Sequence, residues 1–172
     1  MSDAFDLLGL EPRFDIDPVQ LDQRHRELSL VLHPDRSSGK SPAERRAMLS
    51  RAMEVNEARR RLVDPVQRAE LLLVRRGVAV GEGREPAAAP ELLMEMMERR
   101  EELREAGQRR DAQALAKLGE AVTVDRQRAE ARLAQLLGGE ALEASEALRL
   151  LGALRYFRRF FDELGALQDE LD

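Results

Sequence analysis

The chain has 172 residues, of which 43% are hydrophobic, 35% are charged and only 3% are aromatic, and it contains neither cysteine nor tryptophan. The lack of cysteine excludes disulfides, zinc sites with thiolate ligands and thiol nucleophiles, and the wealth of Ala, Leu, Glu and Arg favours helices over a large β-sandwich or barrel. The net charge of −5 is unevenly divided, because residues 1–79 carry 14 Lys and Arg against 13 Asp and Glu, whereas residues 80–172 carry 14 against 20. We therefore expect the two halves to face different partners.

The same composition disfavours several classes of partner. Nucleic-acid binding needs basic patches with stacking aromatic side chains, and no aromatic residue lies between Phe14 and Tyr156. No apolar stretch approaches the ~20 residues of a membrane helix, and the acidic residues before the first apolar run are the reverse of a secretory signal. With only two histidines, no metal or other cofactor is expected. These features predict a cytoplasmic protein. We expect it to be monomeric or weakly self-associating.

Three proline positions mark helix starts in the first half. Asp17, Ser41 and Asp64 each precede a proline, so that a cap side chain accepts a backbone N–H while the proline occupies the first helical position. A short helix before them is expected to end at Gly9. The two long helices should form an antiparallel hairpin joined by a polar loop. The helices predicted in this half are 4–8, 18–32, 42–62 and 65–76.

The second half is predicted to be a helical bundle. The segment from Gly77 to Pro90 collects glycine and proline without a helical period, which is typical of a linker. After it, apolar residues recur at alternating three- and four-residue steps, which predicts three antiparallel helices with coiled-coil-like packing. On the last helix the predicted core positions include Leu150 and Phe161, whereas Tyr156 and Phe160 fall beside them, so part of this aromatic cluster is expected to face outward. The predicted helices are 90–106, 111–137 and 140–171.

The loop of the hairpin carries His33-Pro34-Asp35, for which three interpretations compete. The histidine can simply end its helix, where an imidazolium suits the negative end of the helix dipole. It can form a catalytic dyad with the carboxylate, although no serine, cysteine or metal cluster is placed to complete one. It can also be a recognition tip that a rigid helical hairpin presents to a partner.

The first half resembles a J-domain, the module through which J-type co-chaperones engage DnaK-type chaperone ATPases. Arg59 departs from the pattern, because many J-domains have an aromatic residue at this position, and a local change in packing is expected there. The matching segments are FDLLGL at 5–10, QRHRELSLVLHPDR at 23–36 and VNEARRRLVDPVQRAELLL at 55–73.

The resemblance implies a chaperone-binding surface on the hairpin. His33, Pro34 and Asp35 would contact the chaperone and stimulate ATP hydrolysis, and Arg24 and Arg26 would meet an acidic chaperone surface, where charge complementarity speeds encounter and sets register. From the residues alone, these two arginines are equally typical of a solvated helix face.

The segment LLMEMMERREEL at 92–103 extends the resemblance to the HscB family, the J-type co-chaperones of iron–sulfur cluster assembly, in the bacterial form without an N-terminal cysteine-rich module. It implies an L-shaped all-α protein with a J-domain at 1–76, a linker at 77–90 and a client-binding three-helix domain of the HscB oligomerisation type at 91–172. It further implies that the protein stimulates the ATPase of the chaperone HscA, delivers the scaffold IscU to it, and is not itself an enzyme. Two alternatives stay open, namely a J-protein for another client and a helical-bundle adaptor with an accidental His-Pro-Asp.

The opening helix of the second half carries a candidate client surface. Six of its residues have the spacing of a stripe along one helix face, and Leu92, Met96 and Leu103 lie to the core side. The competing interpretation is that the methionines and aromatic residues fill the bundle core or the interface with the J-domain. By resemblance to the HscB family, the positions that grip IscU are Leu93, Met94, Met97, Glu98, Glu101, Glu105 and Tyr156.

Overall fold

The structure, a computed structural model, describes residues 3–33, 39–81 and 90–171, and these form seven α-helices and no strand. The chain divides into two compact units, Met1–Gly77 with the first four helices and Val78–Asp172 with the last three. The predicted all-α fold is confirmed. None of the helices in the described ranges is long and apolar enough to cross a membrane. The helices are α1 (Ala4–Leu8), α2 (Pro18–Val31), α3 (Pro42–Val63), α4 (Pro65–Arg75), α5 (Pro90–Gln108), α6 (Ala112–Gly138) and α7 (Ala144–Asp169).

The predicted cap residues begin the helices of the first unit. The carboxylates of Asp17 and Asp64 accept backbone N–H groups at 2.9 and 2.8 Å, and Ser41 and Glu44 form a reciprocal capping box. Gly9 ends α1 in the left-handed region, with φ of 63°, which costs glycine little. The short-range signals in the sequence therefore act where they were predicted to act.

Polar contacts join the two long helices of the hairpin. The ring Nε2 of His25 lies 2.8 Å from Oδ1 of Asn56, and the guanidinium of Arg59 lies 2.9 Å from the carboxylate of Asp22. At this position, where the resemblance led us to expect a change in packing, the contact across the hairpin is an ion pair. The apolar core of the unit includes Phe5, Leu8, Leu21, Val55, Leu62, Val66 and Leu73.

The end of α4 is tied to the start of α1. The guanidinium of Arg75 pairs with the carboxylates of Asp3 and Asp6, the latter at 3.2 Å. Burial by itself raises the pKa of Asp3, but hydrogen bonds from Arg75 and from the backbone N–H of Asp6 outweigh it, and the pKa lies below its usual value. Nearby, the Arg68 guanidinium lies 4.8 Å from the ring centre of Phe14. The ion pair therefore ties α4 to α1, and the cation–π contact ties α4 to the segment that follows α1.

In the second unit, α7 packs against both α5 and α6. At Gly119 of α6 the approach is close enough that an added Cβ would lie 2.8 Å from Cδ2 of Leu164. Glycine at this point therefore allows α6 and α7 to pack tightly. The buried apolar side chains of the bundle include Met96, Leu103, Leu115, Val122, Leu133, Leu136, Leu151, Leu154, Phe157 and Phe160.

The predicted core positions of α7 need two corrections. Phe160, predicted to fall beside the core positions, is only 2% exposed and belongs to the core. Phe161, predicted as a core position, is half-buried beneath the guanidinium of Arg126 at 4.7 Å. Likewise Leu151 is fully buried in place of Leu150. The two shifts run in opposite directions, from 150 to 151 and from 161 to 160, so a steady drift of the period around the helix does not produce them. They arise because α7 packs against both α5 and α6, and the positions of these neighbours select which side chain is covered.

Candidate functional site

The tip of the hairpin is the first candidate surface. His33 follows the end of α2 and is exposed, and Pro34 and Asp35 lie outside the described residues. About two turns earlier in the chain, on α2, Arg24 and Arg26 are also exposed, with Arg24 at 3.3 Å from the carboxylate of Glu27. The described part of this surface is thus an imidazole and two guanidiniums along the final turns of one helix.

The second candidate surface is on α5, where three large apolar side chains face solvent. Leu93, Met94 and Met97 are 49%, 64% and 73% exposed, whereas Met96 and Leu103 are at most 2% exposed. The interpretation that the methionines fill the bundle core is therefore wrong for Met94 and Met97, and Leu93 is exposed beside them in the chain. We call Leu93, Met94 and Met97 the apolar strip.

Carboxylates continue the apolar strip toward the end of α5. Glu98, Glu101 and Glu105 are all exposed, and Glu105 forms an ion pair with Arg109. Glu101 has a longer contact with Arg104, at 3.5 Å. Because ion pairs this exposed contribute little, these carboxylates can change partners readily. The stripe predicted from the spacing is thus an apolar start followed by acidic side chains.

Tyr156 is the one predicted site residue on another helix. Its hydroxyl donates to the carbonyl oxygen of Met96 at 2.7 Å, so the phenol of α7 reaches the backbone of α5 at the residue before Met97. It is half-buried, and this burial raises the pKa of the phenol. The structure therefore brings Tyr156 to the other predicted client residues without exposing it fully.

Two ion pairs that the sequence reasoning missed hold α5 in place. Arg99, whose side chain is 18% exposed, lies 2.7 Å from Asp125 of α6, and Arg100 lies 2.8 Å from Glu163 of α7. The alternating charges of this segment resemble any solvated helix face, so no sequence signal marks these residues as braces. They connect the helix that carries the apolar strip to α6 and to α7. Within the described ranges no cluster of His, Asp or Glu could hold a metal ion.

A helical hairpin with a histidine after its first long helix, followed by a three-helix bundle, is the architecture of a J-domain joined to a helical bundle. Comparison with solved structures supports this class. Chaperone HscB from Vibrio cholerae aligns with a TM-score of 0.85 and 29% identity over 99% of this chain and 100% of the other. Human co-chaperone HscB, at 24% identity and a TM-score of 0.86, has the same fold over 96% of this chain and 82% of its own.

Sequence comparison gives the family. The HscB co-chaperone homologue of Burkholderia vietnamiensis is 38% identical over 170 residues, which cover 98% of this chain and 95% of the relative. The homologue of Bordetella pertussis is 38% identical over 168 residues, which cover 96% of each. Residues 88–165 match the family model of the HSCB C-terminal oligomerisation domain. The chain belongs to the HscB family of co-chaperones.

Proposed function

We propose that the chain is an adaptor that stimulates the ATPase of a DnaK-type chaperone of the HscA kind and delivers the iron–sulfur scaffold IscU to it. In this proposal residues 1–76 act on the chaperone, residues 91–172 hold the client, and 77–90 link them. The observation that carries it is the apolar strip with its acidic continuation, exposed on α5 within the part that matches the HSCB C-terminal domain. Monomeric proteins seldom expose large apolar side chains in a group unless a partner covers them.

The chaperone side of the proposal rests on the hairpin tip. His33, Pro34 and Asp35 would contact the ATPase, and Arg24 and Arg26 would steer its acidic surface into register. The exposure of His33 and of both arginines supports this role, because none of the three side chains is needed to fill the core.

The client side has the composition of a protein–protein interface. An apolar centre formed by Leu93, Met94 and Met97 is followed by charged side chains, as in interfaces with a dry core and a polar rim. Methionine suits such a centre because its flexible thioether adapts to the shape of another surface. The charged side chains proposed to contact IscU are Glu98, Glu101 and Glu105, and the ring of Tyr156 would complete the apolar centre.

Two variants separate the two activities. In an HscA ATPase assay without IscU, His33→Gln should abolish stimulation, whereas Leu93→Ala with Met97→Ala should leave it intact. In an IscU binding titration, His33→Gln should bind like the native chain, whereas Leu93→Ala with Met97→Ala should bind more weakly. If the native chain does not stimulate HscA, or if His33→Gln stimulates it equally well, the chaperone proposal fails.

The choice of client is tested in the same titration. If the native chain stimulates HscA but does not bind IscU, it serves a different client. If it neither stimulates HscA nor binds IscU, the whole proposal is wrong. Circular dichroism of each variant should give the native spectrum, because the substituted side chains are exposed.

A further inference from the structure

A groove lies between α5 and α6, beside the acidic end of the proposed client surface. Its volume is about 430 Å³. Its apolar lining consists of Leu118 of α6 and three alanines, Ala106 of α5 with Ala114 and Ala121 of α6. Alanine leaves space between two helices that larger side chains would fill, so this groove can receive a side chain from a partner.

The groove and the proposed client surface share an edge. Glu105, which continues the apolar strip, also lines the groove, and Glu102 lines it one turn earlier. Glu98 and Glu101 lie on the same side of α5, because residues three and four apart are neighbours on a helix. Four exposed carboxylates therefore stand along this edge.

The cations around the groove balance this charge only in part. Arg109 is engaged in the ion pair with Glu105, and Lys117 lines the groove from α6. On the α5 side, a partner that crosses from the apolar strip into the groove must pass Glu102. A basic side chain is the complementary group at that point.

We propose that the client bound to the apolar strip extends across the acidic edge of α5 into the groove between α5 and α6. A segment of that client places an apolar side chain over Leu118 and Ala121 and a basic side chain against Glu102. This inference rests on the client binding proposed above. It adds Glu102 and the facing side of α6 to the contact surface.

The experiment is an IscU titration, by calorimetry, with the full chain and two variants that leave the apolar strip unchanged. Ala121→Leu places a larger side chain at the groove, on an exposed helical position, and should weaken binding about tenfold. Glu102→Gln removes the charge alone and should weaken binding about threefold at low salt, with the difference from the native chain shrinking as salt is added.

Matched controls separate the groove from general effects on α6. Ala131→Leu and Glu120→Gln make the same changes at exposed positions of α6 that do not line the groove, and both should bind IscU like the native chain. If Ala121→Leu binds no more weakly than Ala131→Leu, or if Glu102→Gln binds like Glu120→Gln, the inference is wrong.

The same titration distinguishes failure of the inference from failure of the proposed function. If Leu93→Ala with Met97→Ala weakens binding while both groove variants bind normally, the client stops at the apolar strip and only the extension is refuted. If the native chain does not bind IscU, the client proposal and this extension fall together.

Discussion

Two adjacent methionines of α5 allow the client surface to be tested against the core of the same helix. Met96 is 2% exposed and Met97 is 73% exposed, although the substitution to alanine removes the same atoms at each. Because burying a methionine side chain stabilises by about 1.5–3 kcal/mol, covering the exposed part of Met97 should contribute about 1–2 kcal/mol to binding. Met97→Ala should therefore weaken IscU binding about tenfold.

The two variants should also differ in stability, with Met96→Ala the less stable of the two. Met97→Ala should change the free energy of unfolding by less than about 0.5 kcal/mol, because the site is exposed and alanine is a good helix former. Met96→Ala should lower it by about 2–5 kcal/mol, because it leaves a cavity in the bundle. Urea unfolding followed by circular dichroism measures both, and the transition that Met96→Ala shifts identifies the bundle.

The two measurements together can refute the reasoning. If Met97→Ala destabilises the bundle as much as Met96→Ala does, Met97 is a core residue and the apolar strip is not a free surface. If its stability is native and its affinity for IscU is also native, the side chain is free but lies outside the interface.

The remaining predictions concern stability. Arg75→Met should lower the melting temperature at neutral pH and reduce the free energy of unfolding by up to about 1 kcal/mol. Because the pKa of Asp3 is lowered in the folded chain, this difference from the native chain should vanish as the pH falls through that lowered pKa. A difference in melting temperature that persists in acid would contradict the prediction. Asn56→Ala should lower the free energy of unfolding in urea by about 1 kcal/mol, since it removes the hydrogen bond to His25 across the hairpin. A native free energy of unfolding would show that this bond contributes nothing. Gly165→Ala places a Cβ in open space on a helix and should raise the free energy of unfolding by about 0.5–1 kcal/mol. Gly119→Ala should stabilise less or destabilise, because its Cβ meets the buried Leu164. Equal melting temperatures of the two variants would refute the close approach at Gly119.

The sequence predicted the helices well because their ends depend on neighbouring residues. An N-cap carboxylate at Asp17 or Asp64 and a left-handed glycine at Gly9 act over a few residues, so their effects can be inferred without knowing what packs nearby. The face shared by Leu93 and Met97 is equally local, since it follows from the 3.6-residue period of one helix. That period also separates them from Met96, which explains why both the stripe and the core side of α5 were predicted.

The errors and omissions all involve contacts between residues far apart in the chain. Phe160 is buried and Phe161 lies beneath Arg126 because α7 packs against two helices at once, and a pattern read along one helix does not contain the positions of its neighbours. The ion pair between Arg99 and Asp125 forms only when α5 and α6 lie side by side. The same is true of the groove beside Glu102.

Local propensity and periodicity were thus enough to place the helices, the histidine after α2 and the exposed stripe on α5. Packing between helices settled the rest, namely which aromatic side chain is buried, which arginines brace α5, and that the hydroxyl of Tyr156 donates to the carbonyl of Met96. The reason is physical. Caps and helical faces depend on dihedral preferences and on neighbours within about four residues, whereas burial and ion pairing depend on distances that the assembled bundle sets.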